Sequence, residues 1–82
     1  MKKALFERVN DVTDEFTFLD FLNELRKDNI KNKDWENNTI ELFLEAAVEW
    51  GTISKDGLQY YEKPENPWKR CAQIIYMGKI YE

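Results

Sequence analysis

Residues 34–51 read DWENNTIELFLEAAVEWG, and the periodicity of this stretch decides the fold. Ile40, Phe43, Leu44, Ala47 and Val48 recur at i, i+3, i+4, i+7 and i+8. That spacing predicts an amphipathic helix with these five side chains turned to the core. Asn38 precedes the run and is the expected N-cap, with Glu41 three residues later in the capping-box position. Gly51 follows the last periodic residue and is the expected left-handed stop. Trp35, just upstream, is expected to pack back on the helix start as a staple.

The flanking sequence is helical as well. Lys2–Asn10 predicts a short helix with a thin stripe of Ala4, Leu5, Val9 and Val12. Thr13 is the expected cap of a helix from residue 14 to about 29, with Asp14 and Glu15 in its first turn, where the dipole favours negative charge. Phe18, Leu22 and Leu25 give that helix its stripe, and Phe16, Leu19 and Phe21 widen it. Asn29 or Asn32 suits its left-handed C-cap. Near the C-terminus, Asn66 followed by Pro67 is a strong helix start, because Pro at N1 gives up no hydrogen bond. Trp68, Cys71, Ala72 and Ile75 share a face of this last helix, and Gly78 is where it ends or loosens. Residues 52–61 fit either a short β-hairpin, with Asp56-Gly57 as a type I′ turn, or an extended loop. The expected architecture is mostly α: one helical domain over residues 1–82, a bundle of about four helices, with the hairpin question open between helices three and four. The expected core is Phe18, Leu22, Leu25, Ile40, Phe43, Leu44, Ala47, Val48, Trp68 and Ile75.

Composition narrows the function. Eighty-two residues with 15% aromatics and 34% charged residues describe a small globular chain. No apolar run approaches the ~20 residues of a membrane span. Glu7, Arg8 and Asn10 interrupt any signal-peptide core, so a cytoplasmic protein is expected. There is no histidine and one cysteine. The commonest general base and metal ligand is therefore missing, and no internal disulfide can form. No carboxylate pair is marked out by an apolar pocket, no calcium-loop spacing is present, and the glycines are isolated. No catalytic residue, metal or cofactor is expected, and Cys71 is expected to be a buried small residue.

The net charge of −4 is unevenly distributed. Residues 11–51 hold four bases against eleven acids, a net of −7. Phosphates would be repelled, so nucleic acid is not an expected partner. Glu41, Glu45 and Glu49 form an i, i+4, i+8 ladder, expected on the face opposite the apolar stripe, in a helix without lysine or arginine, and Asp20, Glu24 and Asp28 repeat that spacing on the preceding helix. Like charges so placed each cost a few tenths of a kcal/mol. These six carboxylates are the candidate docking face for a basic protein partner. The competing reading is a solvated surface balanced by Lys69, Arg70 or Lys79. A second class of function is a structural or regulatory homodimer formed through exposed aromatic surface. Trp35, Trp50 and Trp68 are expected in the core or at its boundary, with Tyr60-Tyr61 the more exposed pair.

Several words of the sequence together are distinctive. Trp35-Glu36-Asn37-Asn38-Thr39-Ile40, Phe43-Leu44-Glu45-Ala46 with Trp50, Pro67-Trp68, and the C-terminal Ile-Ile-Tyr-x-Gly-Lys-Ile-Tyr-Glu resemble a family of small bacterial proteins that carries a domain-of-unknown-function label. The resemblance runs from about Leu5 to Glu82. It implies a small stand-alone domain and supplies no activity, cofactor or catalytic residue. Members of this size and charge look like the immunity proteins that neutralise toxins, which is an analogy of scale and charge.

Overall fold

A computed structural model of the chain describes residues 4–32 and 34–81. Four helices follow in order: α1 Leu5–Asn10, α2 Glu15–Lys31, α3 Ile40–Ser54 and α4 Pro67–Ile80. The chain is mostly α, as the periodicity predicts. Lys2 and Lys3, the first two residues of the expected first helix, lie outside the described residues.

Local capping chemistry sets the helix starts. Asp14, rather than Thr13, caps α2: its carboxylate accepts from the Thr17 amide at 2.8 Å, and Thr17 Oγ1 accepts from the Asp14 amide at 3.1 Å. The Thr17 amide first, and then the Thr17 hydroxyl donating to the same carboxylate at 2.8 Å, hold the Asp14 carboxyl below its ordinary pKa. Thr39, one residue past the expected Asn38, caps α3 by accepting from the Leu42 amide at 3.1 Å. Asn66 caps α4 as expected, accepting from the amides of Trp68 and Lys69 ahead of Pro67 at N1. The Asn66 amide also donates to the Thr13 carbonyl, which ties the α1–α2 corner to the start of α4.

The central element is α4. It packs most extensively on α3 and also on α1 and α2, whereas α2 and α3 do not pack on each other. Phe18 meets Trp68 near the starts of α2 and α4, and Asp28 meets Lys79 near their ends, so these two helices run parallel. Gly51 lies against Ile74, and Phe43 against Gly78, so α3 runs antiparallel to α4. Val9, Val12, Phe21, Leu25 and Ala72 form the buried cluster where α1, α2 and α4 meet. Ala46, Ala47, Trp50 and Ser54 are the buried residues of α3.

Neither interior glycine ends its helix. Both are places of close approach. A Cβ on Gly78 would stand 2.9 Å from a Phe43 ring carbon and 3.0 Å from the Phe43 carbonyl oxygen. The Phe43 oxygen is backbone and cannot simply rotate away, so only glycine permits this crossing distance. Gly51 sits mid-helix in ordinary contact with Ile74. α2 ends at Asn32, whose backbone is extended rather than left-handed.

The segment between α3 and α4 is not a hairpin. Among the described residues it contains a single bridge, Leu58 to Tyr61, closing a tight turn preceded by Gly57 at φ 89°. Side chains hold it instead. Tyr61 packs edge-on against Trp50, with ring centres 5.0 Å apart. Arg70 lies over both rings, and its guanidinium donates to Ser54 Oγ, the Tyr61 hydroxyl and the Gly51 carbonyl at 2.9–3.2 Å. The Tyr61 hydroxyl in turn donates to Gln73. A cation at the last carbonyls of α3 also complements its dipole.

Candidate functional site

The face that α3 buries is rotated from the one that its apolar spacing predicts. Phe43 is half-buried and Ala47 is buried, but Ile40, Leu44 and Val48 are 80%, 54% and 65% exposed. The inner face is Phe43, Ala46, Ala47, Trp50 and Ser54. Two apolar stripes exist on this helix, and packing on α4 buries the less hydropathic one. Gly51 lies against Ile74 and Gly78 against Phe43, which brings α3 and α4 close on this side, and Trp50 fills the space beneath Arg70 and Tyr61. Ile40, Leu44 and Val48, placed in the core by their spacing, become an exposed apolar stripe.

The glutamate ladder, expected opposite the apolar stripe, lies opposite only its buried part and borders the exposed one. At about 100° per residue, Ile40, Leu44 and Val48 occupy the arc of α3 next to Glu41, Glu45 and Glu49. All three glutamates are exposed. Among the described residues no ion pair reaches any of them. The bases offered by the sequence as balance are engaged elsewhere: Arg70 on the loop, and Lys79 with Asp28 at 2.7 Å.

The α2 carboxylates stand differently. Asp20 and Glu24 receive Arg8 of α1 at 3.1 and 3.7 Å, and Glu24 also receives Lys27 at 3.8 Å. Asp28 is the hub of a denser set: Lys79 Nζ, Trp35 Nε1 at 2.8 Å and Asn32 Nδ2 at 2.6 Å all donate to it. Partial burial pushes the Asp28 carboxyl up, but the Lys79, Trp35 and Asn32 hydrogen bonds and the Lys79 charge outweigh it and hold the pKa below its ordinary value. The six candidate residues therefore divide into two sets. Asp20, Glu24 and Asp28 tie helices together, and Glu41, Glu45 and Glu49 face outward with no described partner. α2 and α3 do not pack on each other, so no helix–helix contact joins the two sets.

Between α2 and α3 lies a cleft of about 310 Å³, lined by Leu22, Leu25, Arg26, Trp35, Ile40 and Phe43 among others. Its closed end is built by the stacked rings of Trp35 and Phe43, 6.1 Å apart, with Lys79 over the Trp35 ring. Asn37 fastens the same end by donating to the carbonyls of Gly78 and Tyr81 at 3.0 and 2.8 Å, the last acceptors of α4. The words Trp-Glu-Asn-Asn-Thr and Gly-Lys-Ile-Tyr thus meet in space as a clamp.

Of the three tryptophans, Trp50 is buried and Trp35 and Trp68 are half-buried, while Tyr60 is exposed. Cys71, expected to be buried, is exposed: it lies on the strip of α4 between the α3-facing Ile74 and Gly78 and the α2-facing Trp68 and Lys79. Among the described residues no group of His, Cys, Asp or Glu is placed to hold a metal ion, and no helix is long and apolar enough to cross a membrane.

Searches of curated proteins and of solved structures return no match to this chain. A family model does match, over residues 14–82, which takes in α2, α3, α4 and both halves of the clamp but leaves α1 outside. The chain belongs to a family of unknown function, DUF7660.

Proposed function

We propose that this protein is a non-enzymatic protein-interaction module that docks a basic protein through the outer face of α3. The observation that carries the reading is the juxtaposition on one helix of three outward carboxylates without a described partner and an exposed apolar stripe, Ile40, Leu44 and Val48. Apolar side chains supply contact area, and the charges beside them steer approach and select a partner of opposite sign. Neutralisation of a toxin whose own surface attracts nucleic acid is the most concrete version of this function, and a cytoplasmic setting goes with it. Asp20, Glu24 and Asp28 belong to the scaffold in this reading.

Affinity capture on wild type and on the Glu41→Lys, Glu45→Lys, Glu49→Lys variant tests it, with bound protein eluted in a salt gradient. Docking through the ladder predicts a basic protein that leaves the wild type at moderate ionic strength and is not retained by the folded variant. Equal retention by both would sink the reading. Recovery of only untagged copies of the same chain, insensitive to salt, would favour the homodimer instead.

A further inference from the structure

We propose that the cleft between α2 and α3 is the seat of a single amphipathic α-helix contributed by the basic partner, a proposal that rests on the docking reading above. The cleft is open because α2 and α3 each lean on α4 and not on each other. Trp35 and Phe43 close one end. Leu22 and Leu25 form one wall and Ile40 with Phe43 the other, and from Ile40 the exposed stripe of Leu44 and Val48 runs on along α3 beyond the cleft. Ile40 to Val48 spans about 12 Å at ~1.5 Å per residue, room for two to three turns of a docked helix.

Charge chooses the occupant. At about 100° per residue Glu41, Glu45 and Glu49 flank that stripe on α3, and on α2 the cleft is lined by Arg26, whose guanidinium bonds to Asn23 Oδ1 and to no carboxylate among the described residues. A second copy that laid its α3 on this α3 would set ladder against ladder. A strand has no sheet edge to join among the described residues. A helix with an apolar stripe, lysine or arginine on the flank toward α3 and a carboxylate on the flank toward α2 satisfies all three surfaces at once.

The test is a titration of fluorescently labelled helical peptides of roughly 16 residues, long enough to cover two to three turns. One peptide carries a leucine stripe with lysines along one flank and glutamates along the other. Its control has glutamates on both flanks. We expect saturable binding of the first peptide and binding at least about tenfold weaker for the control. The protein variant Leu44→Gln, Val48→Gln should also bind at least about tenfold more weakly while melting with the wild type, since both side chains are exposed. Glu41→Gln, Glu45→Gln, Glu49→Gln should weaken binding several-fold and flatten its salt dependence. Equal binding to wild type and to Leu44→Gln, Val48→Gln, or none at millimolar peptide, overturns the cleft proposal. If a basic protein captured from lysate still requires the ladder in that case, the docking reading survives and only the helix-in-cleft form fails. If the ladder variant alters neither peptide nor protein capture, both fail. A wild-type dimer in sedimentation that Leu44→Gln, Val48→Gln dissociates would give the cleft to a second copy and overturn the proposal.

Discussion

The inner and outer faces of α3 are made of similar material and have opposite fates. Outward stand Ile40, Leu44 and Val48, the larger aliphatic side chains, beside three glutamates. Inward stand Ala46, Ala47, Trp50 and Ser54, a set of lower average hydropathy. Hydrophobicity alone would bury the first set. Packing buries the second, because α4 meets α3 closely on that side, with Gly78 over Phe43 and Ile74 against Gly51, and because Arg70 bonds to the Gly51 carbonyl and Ser54 hydroxyl there. A helix that leaves its more aliphatic stripe in water has that stripe free for another molecule.

The largest effect that sharpens this contrast belongs to the inner face. Trp50→Ala should destabilise by ~3–5 kcal/mol, since it empties a buried site and removes the ring beneath Arg70 and Tyr61. Urea unfolding measures it, and a loss under about 1 kcal/mol would mean the ring is not a core element. Next is Gly78→Ala. The new methyl would press on the Phe43 carbonyl, and the expected loss is ~1–3 kcal/mol, against the gain of a few tenths to ~1 that Gly→Ala gives in an unobstructed helix. A stabilised variant would mean that α3 and α4 are farther apart than described.

The clamp predicts a pH dependence. Asp28 has a lowered folded pKa, so its contribution is fully present above the ordinary aspartate value of ~3.9 and is lost as pH falls through the lowered one. Stability should drop on acidification below about pH 4, and Asp28→Asn should lose part of that dependence while being less stable at neutral pH. Thermal melts between pH 6 and 2.5 would check it. An unchanged acid limb would separate Asp28 from the fold.

The smallest effect should come from the outer glutamates. Glu45→Gln removes both like-charge i, i+4 pairs of the ladder and should stabilise by a few tenths of a kcal/mol, or leave stability unchanged in high salt. A clear loss of stability would reveal a partner within the fold.

Helix positions were legible because caps and periodicity are local. Asn66-Pro67 marked α4 to the residue, and the α2 and α3 starts were read within one residue. The orientation of α3 was not legible from its apolar count, since both stripes pass that test. The charges held a better signal. The arc diametrically opposite the centre of the Glu41–Glu45–Glu49 ladder, at about 100° per residue, falls on Phe43, Ala47, Trp50 and Ser54. Gly51 and Gly78 read as stops in isolation, and only the neighbouring helix shows that they are contacts. The pairing of Asp28 with Lys79 and Trp35 joins residues far apart in sequence, which helical spacing cannot report. Of the six candidate carboxylates, the α3 ladder already stood out in sequence as the one without a lysine or arginine in its helix, but the partners that Arg8 and Lys79 give the α2 set come only from the tertiary fold.

The orientation of α3 carries both the scaffold and the proposed docking face, so it is the claim to test first. The measurement is the urea unfolding of the triple variant Ile40→Ser, Leu44→Ser, Val48→Ser. With these side chains in solvent, its unfolding free energy should lie within about 1 kcal/mol of wild type, with the same dependence on urea. A loss of more than about 5 kcal/mol, the sum expected for three emptied core positions, would place this stripe inside the protein and contradict the account.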